Sequence, residues 1–100
     1  MSQTIKLIIH ISCLPGRGAE QAAAFEALAP VVRAEEGCLQ YDLHRVADDP
    51  DRFVLLERWA SAEALAAHDA AGHMTAADAA NKAFRAGPAR VVRLLDAPVA

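Results

Sequence analysis

Two extended stretches stand back to back in the middle of the chain, Cys38 to Val46 and Arg52 to Trp59, separated only by Ala47-Asp48-Asp49-Pro50-Asp51. Both carry β-branched, aromatic and leucine side chains, and the Asp and Pro residues between them favour a turn, so the pair predicts a β-hairpin. A central hairpin means antiparallel neighbours, which excludes folds built wholly from parallel strands and crossover helices. It also disposes of Gly16-Arg17-Gly18 as a dinucleotide fingerprint, since the third glycine position holds Gln21 and no parallel crossover follows.

The flanks complete the pattern. Ile5, Leu7, Ile9 and Ile11 alternate with Lys6, Ile8, His10 and Ser12, the period of a strand. Pro15, Gly16 and Gly18 break it, and Ala19 to Glu36 then favours helix, with Ala22, Phe25, Leu28, Ala29 and Val32 on one face and Gly37 as the stop. Pro30 removes one helical hydrogen bond, which predicts a kink or break near Glu26 to Ala29. Ser61 caps a helix over Ala62 to Ala71, Gly72 interrupts, and Thr75 opens a second piece that runs to about Arg85. Arg90 to Leu95 is the last strand. The order is βαββαβ, an α+β, ferredoxin-like sandwich in one domain over residues 1–100.

If Val46 faces Arg52 across the hairpin, Tyr41 falls opposite Glu57 and Leu39 opposite Trp59. Leu39, Tyr41, Leu43, Phe53, Leu55, Glu57 and Trp59 then share the face under the helices. The other face collects Ile8, His10, His44, Val54, Leu56, Val92 and Leu94, too apolar to stay wet. A homodimer that packs sheet on sheet would cover it, with His10 and His44 as packing residues.

Composition limits the partners. Alanine supplies 24 of the 100 residues, and aromatic residues only 5%, so bulky core side chains are few. Ten Lys plus Arg against thirteen Asp plus Glu, without blocks, leave no basic stripe for nucleic acid. Cys13 and Cys38 form no Cys-x-x-Cys and fit buried thiols in a reducing cytoplasm. No apolar run approaches the roughly eighteen residues that span a bilayer.

The candidate chemistry is sparse. No nucleophile elbow, phosphate loop or His-Glu-x-x-His occurs. His68 shares a helical stripe with Ala64 and Leu65 and so points at the sheet, while His73 follows in the Gly72 turn. An imidazole beside an apolar pocket can take or give a proton to a substrate oxygen, and can equally be a hydrogen-bonded packing residue. Glu57, mid-strand among apolar neighbours, must be paired or protonated, as a polar anchor or as a partner of Tyr41 or an arginine. Trp59 offers a flat wall or simple core. His68, His73 and Glu57 could be joined into a two-His-one-carboxylate metal site, but the histidine spacing crosses a glycine turn, and no metal is expected.

The string Glu35-Glu36-Gly37-Cys38-Leu39-Gln40-Tyr41, followed by Asp49-Pro50-Asp51-Arg52-Phe53, by Glu57-Arg58-Trp59, and by Ser61, Ala64-Leu65, His68 and His73, resembles the antibiotic biosynthesis monooxygenase family. The likeness runs from the first strand to the last and is closest to small bacterial members described as quinol monooxygenases. It implies a dimeric α+β barrel with a pocket between each sheet and its own helices. It also implies an oxygenase that needs no metal, flavin or haem, because the deprotonated phenol itself gives electrons to dioxygen. Carried over by position, Trp59 lines the pocket and His68 and His73 form its helical wall. The face analysis adds Tyr41 and Glu57, with Leu55 and Ile9 excluding water. The haem-degrading branch would have an asparagine where Ile9 stands and a tryptophan where His68 stands, so both positions speak against haem.

The resulting expectation is a cytoplasmic, homodimeric, cofactor-independent monooxygenase of a quinol-like or polyphenolic small molecule, with His68, His73 and Glu57 as the catalytic candidates. Two rivals share the pocket: an isomerase of a small carbonyl metabolite, and a non-catalytic binder of an aromatic ligand.

Overall fold

The computed structural model describes residues 3–100, and the first two residues of the expected domain lie outside them. The elements are β1 (Ile5–Ser12), α1 (Gly18–Arg33), β2 (Cys38–Val46), β3 (Asp49–Trp59), α2 (Ala62–Ala70), α3 (Gly72–Asn81) and β4 (Arg90–Leu95). The strands form one antiparallel sheet in the order β2-β3-β1-β4. This is the ferredoxin-like α+β arrangement, with its second helical segment split in two.

The alternation of β1 is realised: Ile5, Leu7 and Ile11 are buried under the helices, opposite Trp59, Glu57 and Phe53 of β3. Tyr41 pairs with Glu57 in the register expected of the hairpin. The ends of the hairpin depart from it. A bulge between Arg45 and Val46 brings Val46 opposite Asp49, so β3 begins at Asp49 and the turn shrinks to two residues. A second bulge between Cys38 and Gln40 sets Cys38, not Leu39, opposite Trp59. Leu39 is thereby expelled from the core face and is 51% exposed.

Pro30 does not break α1, which runs as one helix from Gly18 to Arg33. Proline removes only the bond to Glu26, and both residues lie on the exposed side, where water can solvate the freed carbonyl. The helix stops three residues before Glu36. Ser61 caps α2 by accepting from the Ala64 amide at 3.1 Å. The second piece starts earlier than Thr75: Ala71 adopts φ −66° and ψ 140°, accepts the Met74 and Thr75 amides, and lets α3 begin at Gly72. His73 is therefore helical, not in a turn, and α3 ends at Asn81 instead of Arg85.

One interlock ties the hairpin to the start of α1. Asp51 accepts the amides of Gly16 and Gly18, each at 2.9 Å. These bonds hold its carboxyl below the ordinary carboxylate range. A Cβ on Gly18 would lie 2.1 Å from the Pro50 carbonyl oxygen, so only glycine permits this approach.

The far side of the sheet is as the alternation predicts. Cross-strand pairs His10↔Val54, His44↔Val54, Ile8↔Leu56 and Ile8↔Val92 line it up. Ile8, Val54, Leu56 and Val92 are only half-buried, and Leu94 is exposed. Among the described residues no helix is long and apolar enough to cross a membrane.

Candidate active site

A cavity of about 750 Å³ lies between the sheet and the helices. Its floor is Leu7, Ile9, Ile11, Tyr41, Leu43, Leu55 and Glu57, the inward row of three strands. Its roof comes from α1, α2 and α3, where Ala24, Ala27, Ala76, Ala77 and Ala80 contribute methyl groups and no more. Phe25, Leu28, Leu65 and Met74 add larger side chains to the helical wall, but where the alanines face the sheet the space between stays open.

Polar chemistry concentrates around His68. The ring, with a side chain 3% exposed, lies against Trp59 at a centroid distance of 4.5 Å and meets Tyr41 edge-on at 6.0 Å. Its Nδ1 is 2.9 Å from Oε2 of Glu35, and the same oxygen is 2.8 Å from Nε2 of His73. On the other side, His68 Nε2 stands 3.9 Å from Oε1 of Glu57, which accepts the Trp59 indole N–H at 2.9 Å. Desolvation pushes the Glu57 carboxyl above the ordinary carboxylate range, against the opposing pull of the indole bond and His68. Burial likewise pushes the Tyr41 phenol well above its usual value, with the Glu57 charge adding to the effect.

Glu35 reaches this position through the turn after α1. The Glu35 amide bonds to the Val32 carbonyl, the Cys38 amide returns to the Glu35 carbonyl, and Gly37 sits at φ +81°. A Cβ on Gly37 would come within 2.5 Å of the Ala64 Cβ. Its absence lets the turn press against α2, the helix that carries His68. Glu35 was not among the residues singled out from the sequence, although a signal existed: acidic side chains are unfavourable at a helix C-terminus, so the Glu35-Glu36 pair there needed another reason.

The candidate residues divide as follows. His68, Glu57, Tyr41, Leu55 and Ile9 all line the cavity. Trp59 does not: it is wholly buried behind Glu57 and His68 and steadies both, because strand alternation aims it into the core under α2. His73 is also absent from the wall, its side chain 31% exposed on the outer flank of Glu35. The triad of His68, His73 and Glu57 is not assembled around one point, since Glu57 and Glu35 approach opposite nitrogens of His68. The group whose ligand atoms do converge, all within 4.8 Å, is Glu35, His68 and His73, and it could hold a divalent ion. The same atoms are equally satisfied by the two hydrogen bonds.

Residues 4–80 match the family model described as antibiotic biosynthesis monooxygenase. The chain is 33% identical over 89 residues to a Bacillus subtilis protein named "Putative monooxygenase YcnE", covering 89% of this chain and 94% of that one. Among solved structures, PA3566 from Pseudomonas aeruginosa is similar at 32% identity and a TM-score of 0.88, covering 98% of both chains. A Caulobacter crescentus structure titled as a "putative antibiotic biosynthesis monooxygenase" is 30% identical with a TM-score of 0.90, covering 97% of this chain and 92% of its own. The chain belongs to the antibiotic biosynthesis monooxygenase family.

Proposed function

We propose that the protein is a cofactor-independent monooxygenase that oxidises a quinol-like or polyphenolic small molecule with dioxygen. The observation that carries this reading is the placement of His68, a buried imidazole on the wall of an apolar cavity with a carboxylate fixed behind it. If Glu35 accepts a proton-bearing Nδ1, the lone pair of His68 lies on Nε2, the nitrogen on the Glu57 side. A phenolic hydroxyl bound in the cavity gives its proton to Nε2, and the Glu35 carboxylate stabilises the imidazolium that forms. The phenolate is the electron donor: dioxygen takes two electrons to form a hydroperoxide on a ring carbon, the imidazolium returns its proton to the peroxide, and loss of water, with the C–H bond of that carbon supplying two more electrons, leaves one oxygen atom in the ring system as a carbonyl. Ile9 and Leu55 keep solvent from the anion while this happens.

The half-buried outer face of the sheet supports a homodimer, with Ile8, Val54, Leu56 and Val92 meeting their symmetry mates. Light scattering should return twice the chain mass at micromolar concentration, and a single chain mass would overturn the assignment.

Oxygen uptake tests the activity. Purified protein supplied with a panel of substituted hydroquinones should consume dioxygen faster than the spontaneous rate for at least one member. Rearrangement of a carbonyl compound without oxygen would assign the site to isomerisation instead, and binding without turnover of either kind would leave a ligand carrier.

A further inference from the structure

Arg85 lines the same cavity and has no part in the proton chemistry just described. It lies beyond the end of α3, its amide bonded to the Asn81 carbonyl at 3.1 Å and its backbone bridged to Cys13. The side chain is half-buried. Its Nε donates to Oε1 of Gln21 at 2.9 Å, and Gln21 is itself only 3% exposed on the inner face of α1. One edge of the guanidinium is thus locked by a buried amide, which fixes its plane.

The other edge has no acceptor among the described residues. Among the described residues no carboxylate lies within 4.0 Å of it, and neither terminal nitrogen makes a hydrogen bond. Asp78, exposed on α3, acts on it only through its field. Burial disfavours the charged form of Arg85, which lowers its pKa from the ordinary arginine value. The terminal N–H groups stay accessible from the cavity and are not bonded within the chain, and their planar pair matches a carboxylate in two-point contact. Tyr41 stands edge-on to His68 and within the field of Arg85, so the two polar residues belong to one cavity and can hold one ligand.

We propose that Arg85 is an anion-reading subsite, and that the ligand of this cavity is a hydroxylated aromatic carrying a carboxylate, held by Arg85 while its hydroxyl meets His68. The placement of the hydroxyl rests on the monooxygenase reading; the anion subsite stands on the Arg85 geometry alone.

Binding of 2,5-dihydroxybenzoate and of its methyl ester, measured by calorimetry under nitrogen at neutral pH, tests it. The wild-type protein should bind the acid at least tenfold more tightly than the ester. Arg85→Gln should weaken the acid by at least tenfold and leave the ester unchanged, Arg85→Lys should fall between, and Asp78→Asn should tighten the acid by removing the competing charge. Equal affinity for acid and ester, or no binding of either, overturns the subsite; Arg93 also lines the cavity, so the acid preference must survive Arg93→Gln and fall in Arg85→Lys, which decides the assignment even if Arg85→Gln fails to fold. Oxygen uptake is recorded separately on the same compounds. Preference for the acid without oxygen consumption would sink the monooxygenase reading and keep the subsite, whereas oxidation of acid and ester at equal efficiency would do the reverse.

Discussion

The floor and the roof of the cavity obey different rules. The floor is a sheet face on which every second residue is aimed inward by the pleat, and it carries large side chains such as Tyr41, Leu43 and Leu55, with Glu57 as its one acid. The roof is helical and alanine-rich, and its polar residues include Gln21 and Asp78 within α1 and α3, His68 near the end of α2 and Arg85 beyond α3, with Glu35 just after α1 standing behind His68. The floor gives shape and dryness, and the roof gives acid–base and charge. Chemistry can therefore vary on the helical side without disturbing the strand register beneath.

The sharpest way to break this contrast is at the roof. His68→Ala should lower kcat/KM for an identified substrate by roughly a hundredfold or more, the usual scale for a positioned base, while the unfolding transition stays cooperative. If the loss is below about fivefold, the base belongs elsewhere, and Glu57 on the floor becomes the candidate.

Glu35→Gln should cost less, on the order of tenfold in kcat with KM little changed, because a neutral amide can still orient His68 but cannot offset the imidazolium charge. The wild-type enzyme treated with a chelator should keep its rate. Loss of activity on chelation, restored by stoichiometric zinc or iron, would convert Glu35, His68 and His73 from a hydrogen-bonded group into metal ligands.

Filling the roof tests whether its small residues matter. Ala77→Leu adds apolar volume at the cavity wall and should raise KM by roughly tenfold while leaving or raising the melting temperature, since a ready-made void accepts the new side chain. A fall in stability with unchanged KM would show that the wall at α3 is already closely packed.

The floor is probed by pH. Burial raises the Glu57 carboxyl, so its protonated form is favoured in the folded state. Its stabilising contribution is complete below the unfolded value near 4.5 and is lost as pH rises through the folded value. Glu57→Gln removes that titration, so its denaturation midpoint should improve relative to wild type as pH climbs from acid toward neutrality. A parallel pH profile for the two proteins would mean that Trp59 and His68 together hold the carboxylate at no cost.

The smallest effect is expected on the reverse of the floor. His10→Gln and His44→Gln should leave turnover per folded molecule within about twofold, since the pleat aims both away from the cavity.

The same contrast decides how much could be read from the chain. Strand alternation is local, so Ile5 to Ile11, the Tyr41–Glu57 pair and the apolar outer face were legible. The hairpin ends were not, because a bulge adds a residue without changing composition, and Leu39 swung outward as a result. The start of α3 was hidden for a different reason: Thr75 is a better cap than Ala71 on side-chain grounds, but the backbone at Ala71 accepts the needed amides itself. The site was half legible. His68 followed from its stripe and Glu57 from its strand, whereas Glu35 and Arg85 lie outside regular elements, where no periodicity reports direction.

Ala71 has one further consequence. It is the only residue between α2 and α3, so the two histidines that grip Glu35 ride on separate rods joined at a single bead. Loops between helices ordinarily absorb insertions and deletions, but a residue added at this extended joint would displace α3 from α2 and draw His73 away from the oxygen it shares with His68. The connection is thus a stretch of surface chain that tolerates a change of side chain and refuses a change of length.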